Sequence, residues 1–266
     1  MTVNEQQIIK SYQALPLMSK VAQKYGIAPK TVKNILDRNG IERLSKAEAS
    51  AYKNKLYREL YRIYSFDKNY FKKLNKNNAY IVGFILADGS VSGNRLKLSL
   101  QRKDRDLLVW FKEECQYTGN ISDSRAKCNN KHHPISSLTI SCYEWLEDLE
   151  SYSIYPNKTL TSFLPDIPRN LFGHFLRGFF DGDGAVTGKK YQTIKFTNGS
   201  PRLLSELSDR LHNEYGLTER SVYHRKKSHT YTLEYGKHSD VKKLYDLMYQ
   251  DVSFYLQRKK DKFINM

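Results

Sequence analysis

Apolar and polar positions along the chain follow two rhythms, and their order occurs twice. A helical apolar run, "YIVGFILADG" (80–89), precedes an alternating strand pattern, "RLKLSLQ" (95–101), and an amphipathic helix pattern, "DRDLLVWFKEEC" (104–115). Two short strands follow, "GNISDS" (119–124) and "SSLTIS" (136–141), and then a helix, "CYEWLEDLESY" (142–152). The second pass begins with "LRGFFDGDG" (176–184) and continues with the strand "YQTIKFT" (191–197) and the helix "SPRLLSELSDRLHNEYG" (200–216), which stops on a glycine. It closes with strands "ERSVYHR" (219–225) and "TYTLEY" (230–235) and the helix "SDVKKLYDLMYQ" (239–250). The pattern predicts a duplicated α+β unit.

Ahead of the repeats, "LMSKVAQKYGIAPKTVKNILDR" (17–38) reads as a helix, a turn at Gly26 and a second helix beginning near Pro29. Ser19 is the expected cap of the first helix, and Val21, Ala22 and Tyr25 its buried side. Two readings stand. As a helix-turn-helix DNA reader, its second helix points Lys30, Thr31, Lys33 and Asn34 toward a major groove; as a plain helical hairpin it only packs. Residues 45–78 are polar, basic and rich in tyrosine, and predict a helix followed by an extended piece that either contacts DNA or simply faces water. The expected domains are 1–44 (helix-turn-helix), 45–76 (basic linker helix), 77–165 (first repeat) and 166–266 (second repeat).

Charge sharpens this picture. Forty-four Lys and Arg against 28 Asp and Glu give a formal net charge of +16, which points to a polyanionic partner such as nucleic acid. No stretch is long and apolar enough to span a bilayer, and "MTVNEQQIIK" has neither the look of a signal peptide nor that of a transit peptide. Cys115, Cys128 and Cys142 are odd in number and lack metal-ligand spacing, as expected of thiols in a reducing compartment such as the cytoplasm. No nucleotide-binding loop or catalytic triad is visible.

The two motif helices carry the candidate chemistry. Superposing them matches Gly83 with Gly178, Ala87 with Gly182, Asp88 with Asp183 and Gly89 with Gly184, while Asp181 falls opposite Leu86. An acid at a helix C-terminus meets the negative end of the helix dipole, a loss of roughly 0.3–1 kcal/mol, so a compensating positive charge is expected. Small residues one turn apart, Gly83 with Ala87 and Gly178 with Gly182, let two helices approach backbone to backbone. Crossing there, the helices bring Asp88 and Asp183 together, and two carboxylates so placed need a cation. Hard oxygen donors with room for water and phosphate suit Mg²⁺, and such a site supports phosphodiester hydrolysis. A lone Asp-Gly could be merely a helix stop; two in matched context argue for more.

"IVGFILADG" (81–89) and "LRGFFDGDG" (176–184) together resemble the LAGLIDADG homing endonuclease family in its single-chain form, over about residues 77–266. The resemblance implies an α+β fold of two pseudo-symmetric αββαββα repeats forming a saddle over duplex DNA, with the helix-turn-helix as an added module. It implies a monomeric, site-specific endonuclease for intron or intein homing that uses Mg²⁺ (or Mn²⁺), leaves 3′ overhangs and reads a long, roughly asymmetric target. Asp88 and Asp183, with Gly89 and Gly184, are the implied metal ligands. Lys158 and Lys259 are the implied catalytic basic residues late in each half, supporting the water network or the developing negative charge, with Arg258 and Lys260 competing for the second position. Implied DNA contacts are Arg95, Lys97, Gln101, Arg102, Lys195, Thr197 and Arg225, with Asp104 and Ser200 as further polar groups near the centre. His132, His133 and Pro134 lack the partners of an H-N-H nuclease and read as a hairpin tip, and "NGSP" (198–201) reads as a turn without a catalytic part. A non-cleaving regulator, or an RNA-splicing maturase on the same scaffold, is the alternative.

Overall fold

Helix caps and strand alternation set the element boundaries seen in the computed structural model, which describes residues 4–128, 131–188, 191–225 and 229–263. The chain divides into two units, Met1–Ile63 and Tyr64–Met266. In the smaller, α1 (Glu5–Ala14), α2 (Met18–Tyr25) and α3 (Pro29–Arg38) enclose a core of Ile8, Tyr12, Val21, Ala22, Val32, Ile35 and Leu36. Sequence patterning predicted α2 and α3 but missed α1, whose N-cap is Asn4. Gly26 closes α2 in the left-handed region at φ 65°, where a Cβ would be strained. Ser19 is not the cap expected of it: α2 begins two residues earlier than such a cap would place it, and its N-cap, Leu17, is buried.

Helix α4 (Lys46–Leu60) opens on a capping box formed by Ser45 and Glu48. The linker expected over 45–76 is divided by the structure. Phe66, Tyr70 and Phe71 from its second part are buried in the core of the larger unit, around Trp145. Aromatic mass is what decides this, because three large rings bury more apolar surface than the flanking lysines can keep in water.

The larger unit is an αββαββα arrangement twice over. The first repeat runs α5 (Lys76–Asp88), β1 (Ser90–Ser92), β2 (Arg95–Gln101), α6 (Arg105–Glu114), β3 (Ser122–Cys128), β4 (Lys131–Ser141) and α7 (Leu146–Ser151). The second runs α8 (Arg169–Asp183), β5 (Gly184–Thr187), β6 (Thr193–Asn198), α9 (Pro201–Tyr215), β7 (Tyr223–Arg225), β8 (Thr230–Tyr235) and α10 (His238–Tyr249), with a short α11 (Gln257–Lys260) after it. Each repeat builds one antiparallel sheet, in the orders β1-β2-β4-β3 and β5-β6-β8-β7. Strand β2 shows why one face points inward: Leu96, Leu98 and Leu100 are buried, while Arg95, Lys97, Ser99 and Gln101 are exposed. The "KCNNKHHPIS" hairpin is longer than predicted, because β3 and β4 stay paired to Cys128 and Lys131; residues 129–130 at its tip lie outside the described residues.

Helices α5 and α8 pack at backbone contact. A Cβ on Gly83 would lie 2.0 Å from the Phe175 carbonyl oxygen, and one on Gly178 would lie 1.9 Å from that of Tyr80. One on Gly182 would lie 2.4 Å from the Ala87 Cβ. The matched small residues are therefore a steric requirement of the interface.

Candidate active site

Both motif helices end on their acids, and the chain leaves each helix straight into a strand. Gly89 (φ −78°, ψ 150°) and Gly184 (φ −84°, ψ 159°) are extended, so neither is a left-handed cap. Their glycine identity has another cause: a Cβ at Gly184 would stand 2.2 Å from the Phe180 ring, and one at Gly89 2.6 Å from the Ile85 side chain.

Because the helices cross at their small residues, their C-terminal ends arrive together. A Cβ on Gly182 would be 3.6 Å from the Asp88 carboxyl carbon, and the charge of Asp88 acts on Asp183. The Asp183 pKa is pushed up to about 6, first by burial and then by Asp88, against the pull of Lys259, Lys158 and a hydrogen bond from Asn198. Asp88 is exposed as a residue, yet the protein packed around its carboxyl also raises its pKa, against Lys259, Lys158 and Arg258.

The positive charge required at the helix ends is supplied by two buried lysines. Lys158 sits in a short 3₁₀ turn (Lys158–Leu160) behind Asn157, a residue in the left-handed region at φ 61°, and donates from Nζ to the Gly89 carbonyl at 2.7 Å. Lys259, on α11, donates from Nζ to the carbonyls of Phe180 (2.9 Å), Gly182 (3.0 Å) and Gly184 (2.6 Å). Three donors meet three acceptors, so Lys259 holds its charge at the end of α8 with no N–H left over. Burial pushes its pKa down to about 8, and burial likewise lowers that of Lys158. The neighbours of Lys259 point elsewhere: Arg258 grips Asp104, and Lys260 lies over the Tyr255 ring at 4.3 Å.

Asn198 lies beside Asp183, at a position that sequence reasoning read only as part of a turn. Buried at the end of β6, it accepts from the Ser200 amide at 2.9 Å through Oδ1 and hydrogen-bonds Asp183 with its side chain. Ser200 does cap α9, accepting from the Leu203 amide at 3.3 Å. Asp181, the acid without a counterpart, is held by other partners, although its charge also acts on Lys259. Its Oδ2 accepts from the Tyr80 hydroxyl (2.8 Å) and the Leu256 amide (2.9 Å), and burial raises its pKa to about 6.

The expected DNA-contacting residues share outward faces. Register aligns Arg95 with Ser141, Lys97 with Thr139 and Gln101 with Ile135 on the first sheet. On the second it aligns Lys195 with Glu234, Thr197 with Thr232 and Arg225 with Thr230. Lys195 is ion-paired to Glu234 at 2.8 Å, and Arg102 lies 3.7 Å from Asp123. In the smaller unit, Lys30, Thr31, Lys33 and Asn34 are all exposed on α3, with Lys33 4.0 Å from Asp37.

Such a pair of glycine-packed helices ending in acids, each feeding an antiparallel sheet, has a counterpart among known families. Residues 173–248 match the LAGLIDADG-like domain. The homing endonuclease I-WcaI bound to its DNA recognition sequence superposes with a TM-score of 0.54 at 15% identity, over 74% of this chain and 91% of that one. The meganuclease I-SmaMI bound to uncleavable DNA gives 0.49 at 16% identity, over 71% and 87%. The N-terminal LAGLIDADG domain of WhiA gives 0.48 at 16%, over 74% and 93%. No curated protein matches the sequence. The fold is thus that of the LAGLIDADG homing endonucleases, with two four-stranded sheets and added N-terminal helices.

The donor set at the LAGLIDADG helix ends fits a hard divalent cation. The negative charge of Asp88 helps to hold the proton on Asp183, a repulsion that a cation between the two carboxylates would relieve. Among the described residues no group of three or more His, Cys, Asp or Glu forms a protein cage. Further ligands would come from water, phosphate and main-chain oxygens, as Mg²⁺ favours. The Gly89 and Gly184 carbonyls, expected beside the metal, are each already engaged by a lysine Nζ.

Proposed function

We propose that this chain is a Mg²⁺-dependent, site-specific DNA endonuclease that acts as a monomer on a long duplex target. The observation that carries the reading is the convergence of Asp88 and Asp183 at paired helix ends, with a buried lysine behind each. Asp88 and Asp183 would hold the metal, which when bound supplies activation of water and stabilisation of the leaving oxygen. Lys158 and Lys259 offset the negative helix ends and keep both carboxylates in place as anions. Asn198 orients the Asp183 carboxyl. The outward faces of the two sheets, bearing Arg95, Lys97, Gln101, Lys195, Thr197 and Arg225, carry base and phosphate contacts, because basic and amide side chains on a twisted ribbon suit a major groove. Arg102 and the α3 residues Lys30, Thr31, Lys33 and Asn34 add phosphate or base contacts.

Incubating the protein with a randomised duplex library and Mg²⁺, then sequencing new ends, tests the reading. Paired breaks with 3′ overhangs at one recurring sequence support it. Retained binding with no new ends would make the chain a regulator or maturase on a nuclease scaffold.

A further inference from the structure

The segment from Phe254 to Phe263 passes back and forth between the two repeats. The Phe254 ring stacks on Trp110 of the first repeat, 4.7 Å between centroids at 16°, while its carbonyl accepts from Arg177 Nε of the second at 2.9 Å. The Leu256 amide donates to Asp181 on α8. Arg258 then returns to the first repeat, where Nε and Nη2 donate to the two oxygens of Asp104 at 2.7 and 2.5 Å. Lys259 reaches the end of α8, and the Phe263 ring packs on Phe180 and Tyr245 at 5.7 and 5.2 Å.

Asp104 is only 6% exposed and takes both of these bonds from Arg258. A bidentate guanidinium–carboxylate pair is directional as well as charged, and a buried carboxylate stripped of it is left unsatisfied. Elsewhere in the strap, Lys259 donates from its side chain to carbonyls at the end of α8, Lys260 lies over the Tyr249 and Tyr255 rings, and Gln257 pairs with Asp261 within the strap itself. Among the described residues, the fork is its one side-chain ion pair to the first repeat.

We propose that Arg258 and Asp104 are a positioning pair. By tying α11 to the first repeat while Lys259 and Leu256 tie it to the second, they seat the lysine at the α8 terminus and keep the two motif acids in register. Neither residue is a catalytic one. The inference rests on the nuclease reading for its functional consequence, and on the hydrogen bonds alone for its structural one.

Two readouts separate these. In the full-length protein, Arg258→Ala and Asp104→Asn should speed amide hydrogen exchange over residues 256–260 by about 10-fold or more, as local opening becomes easier. Arg258→Lys, which keeps the charge but loses the fork, should fall between them and the wild type. In Mg²⁺-dependent cleavage, the same two variants should lower kcat by roughly 10- to 100-fold, the scale of a small misplacement, with KM within about 3-fold. Unchanged exchange in Arg258→Ala overturns the proposal, as does a rise in KM alone, which would make Arg258 a phosphate contact. Should the wild type cut no DNA, the nuclease reading fails, and the exchange data still decide whether the strap is held by this pair.

Discussion

Asp183 stands under strain that function would explain and stability would not. Its folded pKa, about 6, lies above the roughly 3.9 of a free aspartate. An acid raised in this way binds more protons folded than unfolded between those values, so stability falls as pH rises from about 4 to 6 and stays lowered above. Asp183→Asn should therefore melt higher than the wild type at pH 7–8, with an advantage that shrinks below pH 6 and is gone near pH 4; a variant less stable at neutral pH would contradict this. Residue chemistry was legible to differing degrees. Duplication alone picked out Asp88 and Asp183 over Asp181. Lys259 stood among 44 basic residues, and only the geometry of α11 separates it from Arg258 and Lys260. Asn198 gave no signal, because an Asn-Gly after a strand reads as a turn whether or not its amide meets an acid.

Helices α5 and α8 meet through absences of side chain. A methyl at Gly83 or Gly178 would press on a main-chain carbonyl, which cannot step aside as a flexible side chain would. Gly178→Ala should cost at least the ~1–3 kcal/mol of an overpacked core, measured by urea denaturation. The helix-propensity gain of about 1 kcal/mol works against this loss. A neutral or stabilising result would mean the helices do not touch there. Elements were the most readable level of this chain: β2 and β8 coincide with their predicted spans, since period-2 alternation over a half-buried sheet is unambiguous. Helix α1 escaped notice because only Ile8 and Tyr12 of its ten residues are buried, leaving little periodicity to detect. The two lysine-bearing turns are too short to leave a pattern at all.

Across the whole molecule, the chain divides between Ile63 and Tyr64, inside the linker that sequence expected over residues 45–76. Charge runs blurred the division, because a basic, tyrosine-rich stretch looks alike in a linker and in a packed edge. A chain beginning at Tyr64 should retain its fold and Mg²⁺-dependent cutting while binding DNA more weakly. Loss of cutting at saturating protein would show that the units are not separable. Binding by either form should weaken with salt, log affinity falling by about 0.9 per neutralised phosphate per log unit. The shortened chain should have the shallower slope. No helix among the described residues is long and apolar enough to cross a membrane.

The most direct measurement follows both strands of a cleavable target in Mg²⁺, comparing the wild type with Asp88→Asn and Asp183→Asn at matched DNA occupancy. If the two carboxylates hold the metal jointly, either substitution lowers cutting of both strands by more than about 10²-fold, the loss of several kcal/mol of transition-state stabilisation, while leaving binding intact. Cleavage that persists in either variant would contradict a shared metal at the paired helix ends.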